Sequence, residues 1–409
     1  MARFAPRLLV ISTPEHAADE LRRIRVDSFG ILEMVPKMRT LCIELSQVEC
    51  RQANILKQEM LSLGGDAAVA RGTVACSIDR TDCLLIGSAK QLTRLCRKLK
   101  AQPFGLAELA GELDLLLTRI ASSPAQWKTS RRVLSLQRPL IMGILNITPD
   151  SFSDGGCCST LELACEKALQ MEAEGADIID IGGESTRPGA APVSSDEEIG
   201  RIISVIERLN GTLKCAISVD TWKSDVADRA LAAGAEIVND ISGFNFDRQM
   251  AGIAAAHGAG VVLMHTRGAP DKMQQETVYH DLMAEVTTSL RASCASAYEA
   301  GVSNDCIAID PGIGFGKDVA GNSELIRRLA ELSCLGLPLL IGPSRKSFIG
   351  TVLGRVPANE RLFGTAAAVA LSVSHGAAIV RVHDVRAMRD VADMAHAIMH
   401  SKAHSMAHS

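Results

Sequence analysis

No stretch of this 409-residue sequence reaches the roughly 18 uninterrupted apolar residues that a membrane helix needs. An integral helical membrane protein is therefore excluded. The first apolar run, Leu8–Ile11, is too short for a secretory signal core, so the expected location is cytoplasmic. The 12 cysteines include no C-x-x-C pair, and in so long a chain they do not make a disulfide scaffold. Most sit in apolar runs, as do Cys42, Cys165, Cys215 and Cys306, and are expected to be buried or incidental thiols. Cys157 and Cys158, in an expected loop, are the two candidates for reactivity. No G-x-x-x-x-G-K-[ST] spacing is present, which excludes a P-loop nucleotide site. The C-terminal series His396, His400, His404 and His408 lacks the glutamate of an H-E-x-x-H site, since Ala397 stands there. It reads as a flexible tail.

What is present is a core-forming composition, 47% hydrophobic and 22% charged. An α/β barrel uses about 250 residues, so a second unit is expected. The net charge of −4 is unevenly spread: residues 1–132 carry 20 Lys and Arg against 14 Asp and Glu, and the remainder 23 against 33. A mildly basic first domain of this kind reads as a solvated surface rather than a nucleic-acid site. Its strands are expected at Arg7–Ile11, Leu41–Leu45 and Cys83–Ile86, with a helix over Val48–Leu63 that stops at Gly64-Gly65. Residues 1–125 are thus a small α/β domain without a catalytic constellation. Residues 126–137 read as a linker, 138–400 as the main domain and 401–409 as the tail.

From residue 138 the rhythm is regular. Eight short apolar runs recur, each followed by a helical stretch: Leu140–Ile144, Asp177–Ile181, Ala216–Val219, Glu236–Val238, Val261–Met264, Ile307–Ile309, Leu339–Ile341 and Ala378–Val382. Strands alternating with helices imply parallel pairing, and eight units in this length imply a (β/α)8 TIM barrel. Polar residues cluster where such a barrel keeps its site, just after the strands. They include Asn146, Gly182 to Arg187, Asp220, Asn239-Asp240, His265, Asp310, Ser344 to Ser347, Arg381 and His383.

Asp220, Asn239, Asp310 and Lys346 come from four different strands and suit a flat polar heterocycle. A carboxylate accepts two parallel N–H bonds from an amidine-like edge, while Asn and Lys satisfy ring acceptors. Asn146, Arg187, Arg381 and His383, three potential cations and one neutral oxygen ligand, form a second group suited to a polyphosphate leaving group whose oxygens a magnesium ion commonly bridges. The turn Gly342 to Ser347 ends a strand and opens a helix, a position that favours an anion. Gly312-x-Gly314-x-Gly316-Lys317 reads as a flexible turn. The loops Thr148 to Gly156 and Gly182 to Ala190 read as lids.

These segments resemble the dihydropteroate synthase family. The resemblance is carried by two long motifs, Met142 to Gly156 (MGILNITPDSFSDGG) and Asp180 to Gly189 (DIGGESTRPG). Five short ones follow in order: Ser218 to Thr221, Asn239 to Ile241, Asp310 to Lys317, Ser344 to Ser347 and Arg381 to Asp384. It spans residues 138–400 and leaves the first domain outside. It implies condensation of (7,8-dihydropterin-6-yl)methyl diphosphate with 4-aminobenzoate, with Mg2+ as cofactor, sulfonamides as competitors and a homodimer as the assembly. By resemblance Asp220, Asn239, Asp310 and Lys346, with Thr186 and Asp180, hold the pterin. Phe152, Arg187, Pro188, Phe315 and Ser347 frame the aminobenzoate. Asn146, Arg187, Arg381 and His383 take the diphosphate, and Asn146 the metal. The groups assigned to catalysis are Asp310, Lys346, Asp220, Arg381 and His383. Two rival readings are a methyltetrahydrofolate-dependent methyltransferase, which has no reason to keep a diphosphate group, and a non-catalytic pterin-binding regulator. Neither nucleic acid nor membrane is an expected partner.

Overall fold

The computed structural model describes residues 5–148, 160–185, 193–269, 272–355 and 357–401. They fall into two units that divide after Ala121.

The first unit contains α1 (Pro14–Arg23), α2 (Ser28–Met34), β1 (Thr40–Glu49), α3 (Cys50–Ser62), β2 (Asp66–Val69), β3 (Arg80–Ser88), α4 (Ala89–Leu99) and α5 (Leu106–Ala121). Its sheet is antiparallel with β3 between β1 and β2. Leu56, Met60, Leu85, Leu92, Leu95, Leu99 and Leu106 form its core. The strands expected near 41–45 and 83–86 are the hearts of β1 and β3. Arg7–Ile11 is not a strand: Leu8 is 88% and Val10 75% exposed, so one face is uncovered, and no strand among the described residues pairs with it. The helix expected from Val48 begins instead at Cys50, because Val48 still pairs with Thr81 across the sheet after a bulge. Glu49 and Gln52 form the capping box that starts it.

The second unit begins with a hairpin, β4 (Gln126–Lys128) and β5 (Val133–Ser135). The barrel strands follow: β6 (Leu140–Asn146), β7 (Ile178–Gly182), β8 (Ala216–Asp220), β9 (Ile237–Asp240), β10 (Gly260–Met264), β11 (Ile307–Asp310), β12 (Leu340–Ile341) and β13 (Ile379–Val382). Alternating with them are α6 (Thr160–Ala173), α7 (Ser195–Leu209), α8 (Ser224–Ala233), α9 (Met250–Ala256), α10 (Leu282–Glu299), α11 (Val319–Arg328), α12 (Ser347–Leu353), α13 (Leu362–Ser374) and α14 (Val385–Met399). All neighbouring strands pair in parallel in chain order, and β13 returns to β6. The parallel bridge Ile309–Leu339 joins β11 to the start of β12 and closes the ring. All eight expected strands are present, and the fold is the (β/α)8 barrel.

The period of two along each strand sorts the side chains. Ile179, Ile217, Val238, Leu263, Ile309 and Val380 face outward into a core shared with the helices. Met142, Ile178, Ala216, Ile237, Val262, Ala308, Leu340 and Ile379 form an inner layer around Trp127. The segment expected to be a linker thus folds as part of the barrel. Trp127 is fully buried, and its indole N–H donates to the Cys306 carbonyl at 2.8 Å. Thr129 Oγ1 donates to Glu236 Oε2 at 2.7 Å, and Arg132 Nε donates to the same oxygen at 2.8 Å. A large aromatic that neither strand face nor helix stripe demands is what turned this stretch into a plug. It stops the N-terminal end of the barrel and leaves the other end open. No helix among the described residues is long and apolar enough to cross a membrane.

Candidate active site

Counting two residues up each strand from the inner apolar layer gives the next inward positions. From Ile178, Ala216, Ile237, Ala308 and Ile379 the count lands on Asp180, Ser218, Asn239, Asp310 and Arg381. Two further along β6 and β8 are Asn146 and Asp220. The same alternation that packs the barrel floor therefore lines its upper interior with polar groups. Asp240, one residue out of phase, turns away and ties its own loop. Its carboxylate accepts from Ser242 N at 2.7 Å and Phe244 N at 2.9 Å.

Arg381 is the hub. Its Nε donates to Asp180 Oδ2 at 2.6 Å and its Nη2 to Asp220 Oδ2 at 2.5 Å. Asn239 Nδ2 donates to Asp180 Oδ2 at 2.9 Å. The sequence grouped Arg381 with Asn146 and His383 around a diphosphate; in the structure its guanidinium joins Asp180 and Asp220, two of the three carboxylates assigned to the heterocycle. His383 stands nearby in sequence but is held by Ser344, whose Oγ lies 3.0 Å from Nδ1. Asp310 accepts from Gly312 N at 2.7 Å. Lys346 lies with its Nζ 4.0 Å from the centroid of Phe315, and its charge acts on both Asp220 and Asp310.

Burial governs the electrostatics. It pushes Asp220 up to about 7, against the pull of Arg381 and with a further push from Asp180. It pushes Asp310 up to about 6, against the hydrogen bond from Gly312 and the charge of Lys346. Asp180 Oδ1, Ser218 Oγ and Asp220 Oδ1 are buried with no hydrogen-bond partner among the described residues. Unsatisfied buried acceptors of this kind are costly, and here two carboxylate oxygens are left waiting for donors. Gly182 keeps the space beside them open: a Cβ there would meet Asp220 Cβ at 3.4 Å and lie 3.7 Å from Asn146 Oδ1.

The turn after β11, read as flexible, is tied by hydrogen bonds from Gly312 N to Asp310, Gly314 N to Asn322 and Lys317 to two of its carbonyls. Gly312, Gly314 and Gly316 all have left-handed φ, between +64° and +82°. Lys317, given no role of its own in the sequence, threads back under them: its Nζ lies 2.9 Å from His265 Nδ1 and donates to Gly312 O at 3.0 Å and Phe315 O at 2.8 Å. Burial pulls Lys317 down to about 7 and His265 to about 3, so the imidazole is neutral. A lysine that closes a glycine-rich turn was the available signal. A second missed cluster anchors the β7 loop: Lys223 Nζ contacts Glu198 Oε2 at 2.6 Å, Glu184 Oε2 at 3.0 Å and the Val193 carbonyl at 2.6 Å.

Among the residues assigned to the aminobenzoate, Phe315 is buried and Ser347 is exposed at the opening of α12. Phe152, Thr186, Arg187 and Pro188 lie outside the described residues, as do Cys157, Cys158, His404 and His408. No group of three or more metal-ligating His, Cys, Asp or Glu occurs among the described residues.

The model of the pterin binding enzyme family matches residues 142–383. The chain is similar to the dihydropteroate synthase of Synechocystis, at 49% identity over 64% of this chain and 91% of that protein. It is 42% identical to a probable bifunctional folylpolyglutamate synthase/dihydropteroate synthase of Halobacterium salinarum, over 92% of this chain but only 45% of that relative's length. A match of 375 residues cannot be confined to the barrel, so it takes in much of the first unit. Among solved structures, the dihydropteroate synthase of Xanthomonas albilineans in complex with 7,8-dihydropteroate superposes with a TM-score of 0.62. It is 40% identical and covers 67% of this chain and 99% of that one.

Proposed function

Because this chain belongs to the pterin binding enzyme family, we propose that it is a dihydropteroate synthase. In this reading it joins (7,8-dihydropterin-6-yl)methyl diphosphate to 4-aminobenzoate, giving 7,8-dihydropteroate and diphosphate. The observation that carries the proposal is the pair of buried carboxylate oxygens without donors, Asp180 Oδ1 and Asp220 Oδ1, beside Asn239, Asp310 and Lys346. A reduced pterin presents an edge of N–H and NH2 donors with a carbonyl and a ring nitrogen as acceptors. Donors of that edge meet the carboxylates, and Asn239 and Lys346 meet its acceptors.

Departure of diphosphate leaves positive charge on the pterin methylene. Asp220 and Asp310, fixed before the substrate arrives, stabilise that charge without reorganising. The amine of 4-aminobenzoate is neutral and nucleophilic, so no strong base is required. Arg381 holds Asp180 and Asp220 between turnovers through its two hydrogen bonds. On substrate binding the Arg381 guanidinium and the His383 imidazole meet the diphosphate. Phe315 and Ser347, with Phe152, Arg187 and Pro188, frame the aminobenzoate, where sulfonamides compete.

The donor set fits a magnesium ion of the kind held by few protein ligands and by substrate phosphate. Asn146 offers one neutral oxygen over the space that Gly182 leaves open. When bound, such an ion neutralises the leaving diphosphate. A homodimer in the cytoplasm, acting on small molecules rather than nucleic acid or membrane, accompanies this reading.

The test is dihydropteroate formation by the full chain. Turnover is expected with Mg2+, to vanish with a chelator, and to be competed by a sulfonamide against 4-aminobenzoate. Pterin binding without any condensation sinks the proposal.

A further inference from the structure

The connection between β2 and β3 in the first unit is tied back to the start of α3 at several points. Cys50 N donates to the Asp79 carbonyl at 2.9 Å. Asn54 Nδ2 donates to the buried Thr73 carbonyl at 2.9 Å. The turn itself is closed by Cys76 N to Thr73 O and Ser77 N to Gly72 O, both at 3.1 Å. This scaffold brings Cys76 to Cys50 with their sulfurs 3.0 Å apart, although the residues are 26 positions apart in sequence. That is within about 1 Å of the 2.05 Å of a disulfide bond. The two thiols differ in access: Cys50 is buried and Cys76 exposed.

We propose that Cys50 and Cys76 form a dithiol site that reacts with a small-molecule disulfide and closes to an intramolecular disulfide. The hydrogen bond with Cys76 and desolvation hold the Cys50 thiol above its ordinary value, which leaves the first attack to the exposed Cys76. Two features support the proposal besides distance. Asn54 Nδ2 lies 3.6 Å from Cys76 Sγ and 4.0 Å from Cys50 Sγ, a donor shared by both. Cys76 is held at φ +47°, a conformation that costs a non-glycine residue free energy and persists where surroundings impose it. The nearby thiols do not compete: burial pushes Cys83 up to about 11 and Cys96 up to about 12.

The step balances as a two-electron exchange. The Cys76 thiolate attacks one sulfur of the reagent, whose S–S bond breaks, and the departing thiolate takes up the proton that Cys76 gave. The Cys50 sulfur then attacks Cys76 Sγ in the mixed disulfide, and the second reagent thiol leaves with the Cys50 proton. Two protein thiols are oxidised and one disulfide is reduced to two thiols. Cys157 and Cys158, the two candidates for reactivity in the sequence, lie outside the described residues; Cys50 and Cys76 are a pair far apart in sequence that spacing does not reveal.

The experiment treats the folded full chain with oxidised glutathione, quenches with acid, alkylates and measures intact mass and peptide maps. The wild type is expected to lose two hydrogens and yield a linked Cys50–Cys76 peptide, with a Tm that rises on oxidation and returns with dithiothreitol. Cys50→Ser is expected to stop at glutathione attached to Cys76, and Cys76→Ser to show neither product. Each variant is first checked for an unchanged reduced-state fold by circular dichroism. Three results overturn the proposal: a wild type that rests as a Cys76 mixed disulfide, a disulfide formed elsewhere, or thiols that stay reduced although Cys76 alkylates readily.

Discussion

At the scale of single residues, Asp310 shows how a site sets function against stability. Burial holds its carboxyl at about 6 instead of the ordinary 3.8, so at pH 8 the folded protein carries a charge that folding disfavours. A raised carboxyl contributes stability fully below its unfolded pKa and loses it as pH rises through the folded one. Asp310→Asn removes the ionisation and can keep the hydrogen bond from Gly312. The variant is therefore expected to be more stable than the parent at pH 8, by at most about 3 kcal/mol for two pKa units. That gain should fade towards pH 4, while turnover falls by about 100-fold or more as the fixed charge is lost. Melting curves at both pH values beside a turnover assay check this. A stability change of equal size at both, or full activity, removes the electrostatic argument.

At the scale of elements, the β4–β5 hairpin matters more than its two three-residue strands suggest. Trp127 is buried among inward side chains of all eight barrel strands: Met142, Ile178, Ala216, Ile237, Val262, Ala308, Leu340 and Ile379. Trp127→Ala is expected to cost about 3–5 kcal/mol, read as a lower urea midpoint. Val133→Ala, at a position 52% exposed, should cost under about 0.5 kcal/mol. Turnover per folded molecule should survive both changes, because the hairpin stops the end of the barrel opposite the polar site. A large fall in turnover with the fold intact would instead tie the two ends together.

At the scale of the molecule, the two units predict where the chain can be cut. A protein starting at residue 133, inside the stretch expected to be a linker, discards Trp127, Thr129 and Arg132 and opens the barrel floor. One starting at Ser122 keeps them. The longer form is expected to be folded and to retain turnover within a few-fold of the full chain, and the shorter one to be poorly soluble. Inactivity of a folded 122–409 protein would assign the first unit a part in catalysis.

The sequence by itself determined the barrel and its functional end. Eight apolar runs with helices between them have few other solutions, and polar residues at the strand ends mark the face that opens. Local signals also placed the hearts of β1 and β3. Only tertiary structure decided which polar residues meet. Arg381 reaches Asp180 and Asp220 across 201 and 161 positions of sequence, a pairing created by ring closure and by inward alternation on three strands. Lys317 under its glycine turn, Trp127 in the floor and Cys50 against Cys76 were hidden for the same reason. Each is a contact between segments whose spacing along the chain carries no period, so it exists only once the intervening chain has folded.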